Sequence, residues 1–102
     1  MKAVFLAAAL LGAAAPARAE TITVTIEKLA FSPARASAHV GDTIVWDNKD
    51  FIPHTATARN HEWDLTIAAH QTGKVELTQP GTIDYFCKIH PNMKGQISVA
   101  PK

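Results

Sequence analysis

The sequence predicts an all-β fold, a single-domain β-sandwich, and three observations carry the prediction. Residues 20–26 read Glu-Thr-Ile-Thr-Val-Thr-Ile, with aliphatic and polar residues in strict alternation. Similar short alternations recur along the chain, separated by turn formers such as Val40-Gly41-Asp42 and Gln79-Pro80-Gly81. No segment after residue 20 carries a long helical period. A two-residue period bounded by Gly, Pro and Asp marks half-buried strands, and several such strands together read as a sandwich.

The elements follow in order. In residues 20–26 the alternation puts Ile22, Val24 and Ile26 on the inward face. The turn at Gly41-Asp42 leads into a strand over residues 43–47, with Ile44 and Trp46 inward. Asn48-Lys49-Asp50 is polar and reads as a turn. Residues 73–78 alternate again, with Val75 and Leu77 on one face. Residues 82–87 form a strand, and residues 95–100 close the chain with Ile97 and Val99 inward. Residues 59–71 have no decisive period; strand, turn and a single helical turn all fit. Phe31, Trp46 and Trp63 read as core.

The first 19 residues stand apart. Met1-Lys2 is positive, residues 3–15 are almost purely apolar, and Pro16-Ala17-Arg18-Ala19 ends in an Ala-x-Ala pattern. This is the layout of a secretory signal peptide, with an apolar run too short to span a bilayer comfortably. Residues 1–19 are therefore expected to be removed. Residues 20–102 would remain as the mature domain, in the periplasm and without stable membrane insertion. Loss of Lys2 and Arg18 changes the charge from 10 basic against 9 acidic residues to 8 against 9. A near-neutral domain without a basic cluster argues against nucleic acid as a partner.

A domain this small has a thin core and benefits from a staple. Its one cysteine cannot supply an internal disulfide. In an exported protein, a lone cysteine points to an intermolecular bridge, a reactive thiol or a metal ligand. The surroundings favour the metal. Cys87, His90 and Met93 fall three residues apart in the run Cys87-Lys88-Ile89-His90-Pro91-Asn92-Met93. Ile83, Tyr85 and Cys87 share the inward face of their strand, so the thiol ends a core-facing row. The loop after it can turn His90 and Met93 back to the same point. A fourth ligand must come from elsewhere, and His54, after Pro53 at the end of the preceding strand-and-turn unit, is the best candidate.

Taken singly, a buried Cys is usually a small hydrophobe and a Met is usually core filler. Taken together, one thiolate, two imidazoles and a thioether form the trigonal donor set with a weak axial Met that suits copper electron transfer. Structural zinc prefers a closed tetrahedron of Cys and His without a thioether. Haem c attachment and a thiolate-bridged dicopper site each need a second cysteine. His39, His61 and His70 lack such neighbours and read as surface residues, with His61-Glu62 a candidate for adventitious metal binding.

At these residues the chain resembles a cupredoxin, most like amicyanin and related bacterial plastocyanin-like proteins. Leu29-Ala30-Phe31-Ser32-Pro33 is similar to the family's first-loop segment, and residues 40–46 to its Val-Gly-Asp-Thr strand entry. Residues 48–54 resemble the first ligand loop, and residues 81–93 the strand and short Cys-x-x-His-x-x-Met loop of amicyanin. The resemblance implies one mononuclear type 1 copper on His54, Cys87, His90 and Met93. It implies a Greek-key β-sandwich and a monomeric one-electron carrier rather than an enzyme. It also implies that the His90 edge reaches the surface within an apolar patch, for which Phe51, Ile52, Pro53 and Pro91 are candidates. A c-type cytochrome and a periplasmic dehydrogenase are both compatible partners. A copper chaperone or scavenger using the same ligands is the alternative. A catalytic copper domain would need further His clusters, and the sequence has no His-x-His pair. Two departures are expected to matter. Thr55 stands where many relatives have an Asn that ties the ligand loops, and a hydroxyl is expected to tie them less completely. Ile89 stands where amicyanin and plastocyanin have Pro, so its N–H is free to face the Cys87 sulfur.

Overall fold

The computed structural model describes residues 18–102, so the expected signal peptide lies outside the described residues except at its last two positions. Nine strands form among the described residues. They are β1 (Thr21–Glu27), β2 (Ala30–Ser32), β3 (Arg35–His39), β4 (Thr43–Asn48), β5 (His54–Ala58), β6 (Asp64–Ile67), β7 (Thr72–Glu76), β8 (Gly81–Phe86) and β9 (Lys94–Ala100). One sheet has the order β2-β1-β4-β7 and the other β3-β9-β8-β5-β6. The two sheets form the expected all-β sandwich, with the parallel pairs β1·β4 and β3·β9 joining strands distant in the chain.

The inward residues meet between the sheets. Val24, Ile26, Ile44 and Trp46 from one sheet face Ala56, Ile83, Tyr85, Ile97 and Val99 from the other, all buried. Phe31, Trp46 and Trp63 are core, as their types suggest. Tyr85 stands edge-on to Phe31 at 4.7 Å and to Trp46 at 5.4 Å, in the geometry aromatic quadrupoles favour. Its ring also lies over Gly95, its cross-strand partner in β9, where any side chain would collide with it.

Four strands were not separately resolved by the periodicity. The unclear stretch contains β6, and β2, β3 and β5 lie in segments without a strong alternation. The β1–β2 hairpin turns through Lys28 and Leu29 at φ 55° and 59°, a left-handed pair usually built from Asn and Gly. The Asp50 carboxylate accepts both of their backbone N–H groups, at 2.8 and 3.1 Å. That contact attaches the hairpin tip to the end of the sandwich where β5 begins.

Candidate metal centre

Strands β5 and β8 pair only at Thr57↔Phe86 and Ala58↔Tyr85. Toward the end of the sandwich they separate, and side chains replace the ladder. His54, the first residue of β5, and Cys87, just past β8, are both fully buried. The Thr55 backbone N–H donates to Cys87 Sγ at 3.3 Å, and Thr55 Oγ1 accepts the Lys88 N–H at 2.8 Å. The loop after Cys87 closes on itself. The Cys87 N–H donates to the Met93 carbonyl at 3.1 Å, and the Met93 N–H to the His90 carbonyl at 2.9 Å. Met93 is buried within that loop, and His90 is partly exposed at its rim.

This arrangement brings His54, Cys87 and His90 together, with their ligand atoms all within 4.8 Å of one another. Cys87 Sγ lies 3.8 Å from His54 Nδ1 and 4.0 Å from His90 Nδ1. A metal bonded to thiolate at roughly 2.3 Å and to imidazole at roughly 2.0 Å in a trigonal plane spaces those atoms by roughly 3.7 Å. The two imidazoles are 5.1 Å apart between centroids and tilted by 58°, so neither blocks the other.

The ring of His54 is oriented from behind. Its Nε2 meets Asp50 Oδ2 at 2.8 Å, which leaves Nδ1 for the interior. Asn48 holds the intervening segment. It is fully buried, its amide donates to the carbonyls of Ile52, Ile67 and Ala68, and its carbonyl accepts the Asp50 N–H at 2.9 Å. Sequence reasoning missed both residues, because a polar Asn-Lys-Asp triplet reads as a solvated turn. The available signal was an aspartate four residues before a candidate ligand.

Electrostatics favours an anion at the sulfur. Burial, the largest influence on Cys87, pushes its thiol up. The Thr55 N–H, the His54 ring, and the backbone and ring of His90 together outweigh burial and bring it down to about 6. At Asp50 burial is again the largest influence and raises the carboxyl. The N–H groups of Leu29 and Lys28, with the His54 ring, prevail and hold it below the ordinary carboxylate value.

One departure keeps a tie between the loops, and the other resolves differently from expectation. Thr55 does tie the loops, through its N–H to the sulfur and its hydroxyl to Lys88, since its short side chain sits where the strands separate. Among the described residues, no hydrogen bond joins the Ile89 N–H to Cys87; the loop turns so that the amides of Thr55 and His90 act on the sulfur. His39 is two-thirds exposed, with its ring 4.0 Å from Asp42, and His70 packs its edge on Phe51. The described residues hold one cluster of three or more His, Cys, Asp or Glu donors, and His61-Glu62 is outside it. Phe51, Ile52, Pro53, Ile89 and Pro91 are all exposed, Phe51 by 86%.

A family model described as a cupredoxin-like domain matches residues 1–99. The chain belongs to the cupredoxin-like family. Amicyanin-alpha of Methylorubrum extorquens is 33% identical over 100 residues, covering 92% of this chain and 84% of that protein. Amicyanin of Paracoccus denitrificans is 31% identical over 93 residues, covering 85% and 71%. Among solved structures, a reduced Cu(I) form of an amicyanin variant superposes with a TM-score of 0.69 at 30% identity, covering 85% of this chain and 87% of that one. A copper-containing nitrite reductase from Thermus scotoductus reaches a TM-score of 0.71 at 26% identity, but the match spans only 22% of that enzyme. As in other cupredoxins, the cofactor is one type 1 copper. The donor chemistry fits it: a thiolate poised to form, two imidazoles at metal-bridging distance and a buried thioether nearby.

Proposed function

We propose that this protein is a periplasmic one-electron carrier whose copper would be held by the Cys87 thiolate, His54, His90 and Met93. The observation that carries the reading is the spacing of three donor atoms fixed by hydrogen bonds that involve no metal. Bound copper supplies a one-electron couple. The chain's own residues keep its ligands from rearranging. Asp50 orients the His54 ring, Thr55 anchors the sulfur, and the Cys87–Met93 backbone bond closes the loop. A site that moves little between oxidation states exchanges electrons with a small barrier.

His90 is the ligand at the rim, with Phe51, Ile52, Pro53 and Pro91 exposed nearby in sequence to the two histidines. A small apolar face suits brief encounters with a redox partner. A c-type cytochrome and a dehydrogenase of the same compartment are the partner classes. Residues 1–19 act as the signal peptide, and residues 20–102 function as a monomer that catalyses no reaction itself.

Copper delivery is the second reading and uses the same ligands. Full burial of Cys87 and His54 favours slow release, against delivery. Two rates decide between them. A carrier exchanges electrons with a small redox protein within milliseconds while losing copper to a strong chelator over hours. Rapid copper loss with sluggish electron exchange would make it a delivery protein.

A further inference from the structure

Lys88, the residue after Cys87, touches the strand pair β5–β6 in two places. Its backbone N–H donates to Thr55 Oγ1, and its Nζ lies 2.7 Å from Asp64 Oδ2. Between those points, Thr55 Oγ1 and Thr57 Oγ1 are 2.9 Å apart, and Thr57 Oγ1 lies 2.8 Å from Asp64 Oδ1. The four residues form a closed hydrogen-bonded ring.

The direction of every bond in the ring follows from its aspartate. The Lys88 ammonium, then the Thr57 hydroxyl, hold the Asp64 carboxyl below its ordinary value, so it is ionised and only accepts. Thr57 must therefore spend its single O–H on Asp64. Its oxygen is then free to accept the Thr55 O–H. With that proton committed, Thr55 Oγ1 turns its lone pairs to the Lys88 N–H. The order Lys88 N–H to Thr55 to Thr57 to Asp64 satisfies each hydroxyl as donor and acceptor once. Thr55 and Thr57 are 3% and 9% exposed, so water competes poorly along the inner part of the ring.

We propose that Thr57 and Asp64 are positioning residues for the copper site, acting through Thr55 on the Lys88 amide and hence on Cys87. The ring lies where the β5–β8 ladder ends at Thr57↔Phe86, and it carries the strand registry one step further to the thiolate. Among the described residues, neither hydrogen-bonds a donor atom, so the effect is on placement of the sulfur. The inference rests on copper being held at Cys87 but concerns residues outside the ligand set.

The test uses Thr57→Val, Thr57→Ser and Asp64→Asn in the mature protein. Valine keeps the shape and removes the relay, serine keeps the relay, and asparagine can offer Thr57 a donor and reverse the Thr57–Thr55 bond, while the Lys88 N–H still only donates. Two readouts apply. One is exchange of the Lys88 amide in the metal-free protein, followed by NMR. The other is the reduction potential and copper hyperfine splitting of the loaded protein. Thr57→Val should speed Lys88 exchange roughly tenfold, the effect of one lost buried hydrogen bond. It should also shift the potential and the hyperfine splitting. Thr57→Ser should restore all three, and Asp64→Asn should fall between. Wild-type exchange and potential in Thr57→Val would overturn the proposal. If valine prevents folding, wild-type values in Asp64→Asn would overturn it equally. Failure of the wild type to bind copper would refute the ligand reading instead, and the metal-free exchange measurement would still decide the ring.

Discussion

His54 and Asp50 meet at 2.8 Å, ring nitrogen to carboxylate, and the same carboxylate accepts the two backbone N–H groups of the left-handed turn Lys28-Leu29. One aspartate thus joins the tip of the first hairpin to a buried imidazole. The carboxylate bonded to the imidazole holds the ring with Nδ1 facing Cys87.

Replacing Asp50 by alanine is expected to weaken copper binding by about 10–100-fold, the usual effect of losing the partner behind a metal-bound histidine. Competition with a chelator of known affinity measures it. The same variant has an acid signature. Asp50 is held below its unfolded value of roughly 3.9, so it stabilises the fold above that pH and the contribution is lost as pH falls through the native value. The metal-free wild type should therefore exceed Asp50→Ala in stability most near neutral pH, and that advantage should shrink as pH falls through the native value of Asp50. Equal copper affinity in both proteins would contradict the role.

What the sequence revealed and concealed has physical reasons. Strands β1, β4, β8 and β9 alternate large apolar residues with polar ones, so their faces were readable. Strand β3 alternates too, but through Ala36 and Ala38, whose small side chains carry little signal. Strand β5, His-Thr-Ala-Thr-Ala, is buried on both faces, and its alternation of small Thr and Ala side chains carries little signal. Strand β2 was hidden by a hairpin turn of Lys and Leu, which no turn preference favours. The cysteine, two histidines and methionine stood out because their chemistry is rare at that spacing. Asn48 and Asp50 did not, because much of their importance lies in tertiary hydrogen bonds to residues far away in sequence, and Thr55 was legible only through the family resemblance.

Exchanging Met93 for glutamine is expected to retain copper and lower the reduction potential. An amide oxygen favours Cu(II) over Cu(I) relative to a thioether. Voltammetry of the two proteins gives the answer directly. An unchanged or raised potential would remove Met93 from the axial position.

The Cys87 thiol of the metal-free protein is expected to ionise at about 6, well below the unfolded value of roughly 8.5. A depressed acid stabilises the fold in full above the unfolded value. That stability falls away as pH drops from about 8.5 toward about 6. Ultraviolet absorbance of the thiolate against pH follows the ionisation, with Cys87→Ser as the blank. A midpoint at or above the unfolded value would mean that the Thr55 and His90 amides do not act on the sulfur.

At the opposite terminus, the Glu20 backbone N donates to Asp42 Oδ1 at 2.9 Å, while Oδ2 accepts the His39 N–H at 2.8 Å. Those two bonds, Glu20's foremost, hold the buried carboxyl below its ordinary value. Cleavage after Ala19 would turn the first donor into an α-ammonium facing a buried anion. A chain beginning at Glu20 should then be more thermally stable than the same chain N-acetylated, and Asp42→Asn should abolish the difference. Pairing raises the amine above its unfolded value of roughly 8, so the gain holds below that pH and is lost as pH rises through the native value. His39 and Lys102, which line the same cavity, are kept in every form compared. Thermal unfolding of the four proteins shows no coupling if the ammonium lies elsewhere.

The most direct test of the copper assignment is the visible and electron paramagnetic resonance spectrum of residues 20–102 after addition of Cu(II), with metal content measured on the same sample. The account predicts one copper per chain, an intense blue thiolate-to-copper charge-transfer band with a narrow hyperfine splitting, and loss of both features in a folded Cys87→Ser protein. A colourless wild type, or a blue Cys87→Ser variant, would contradict it.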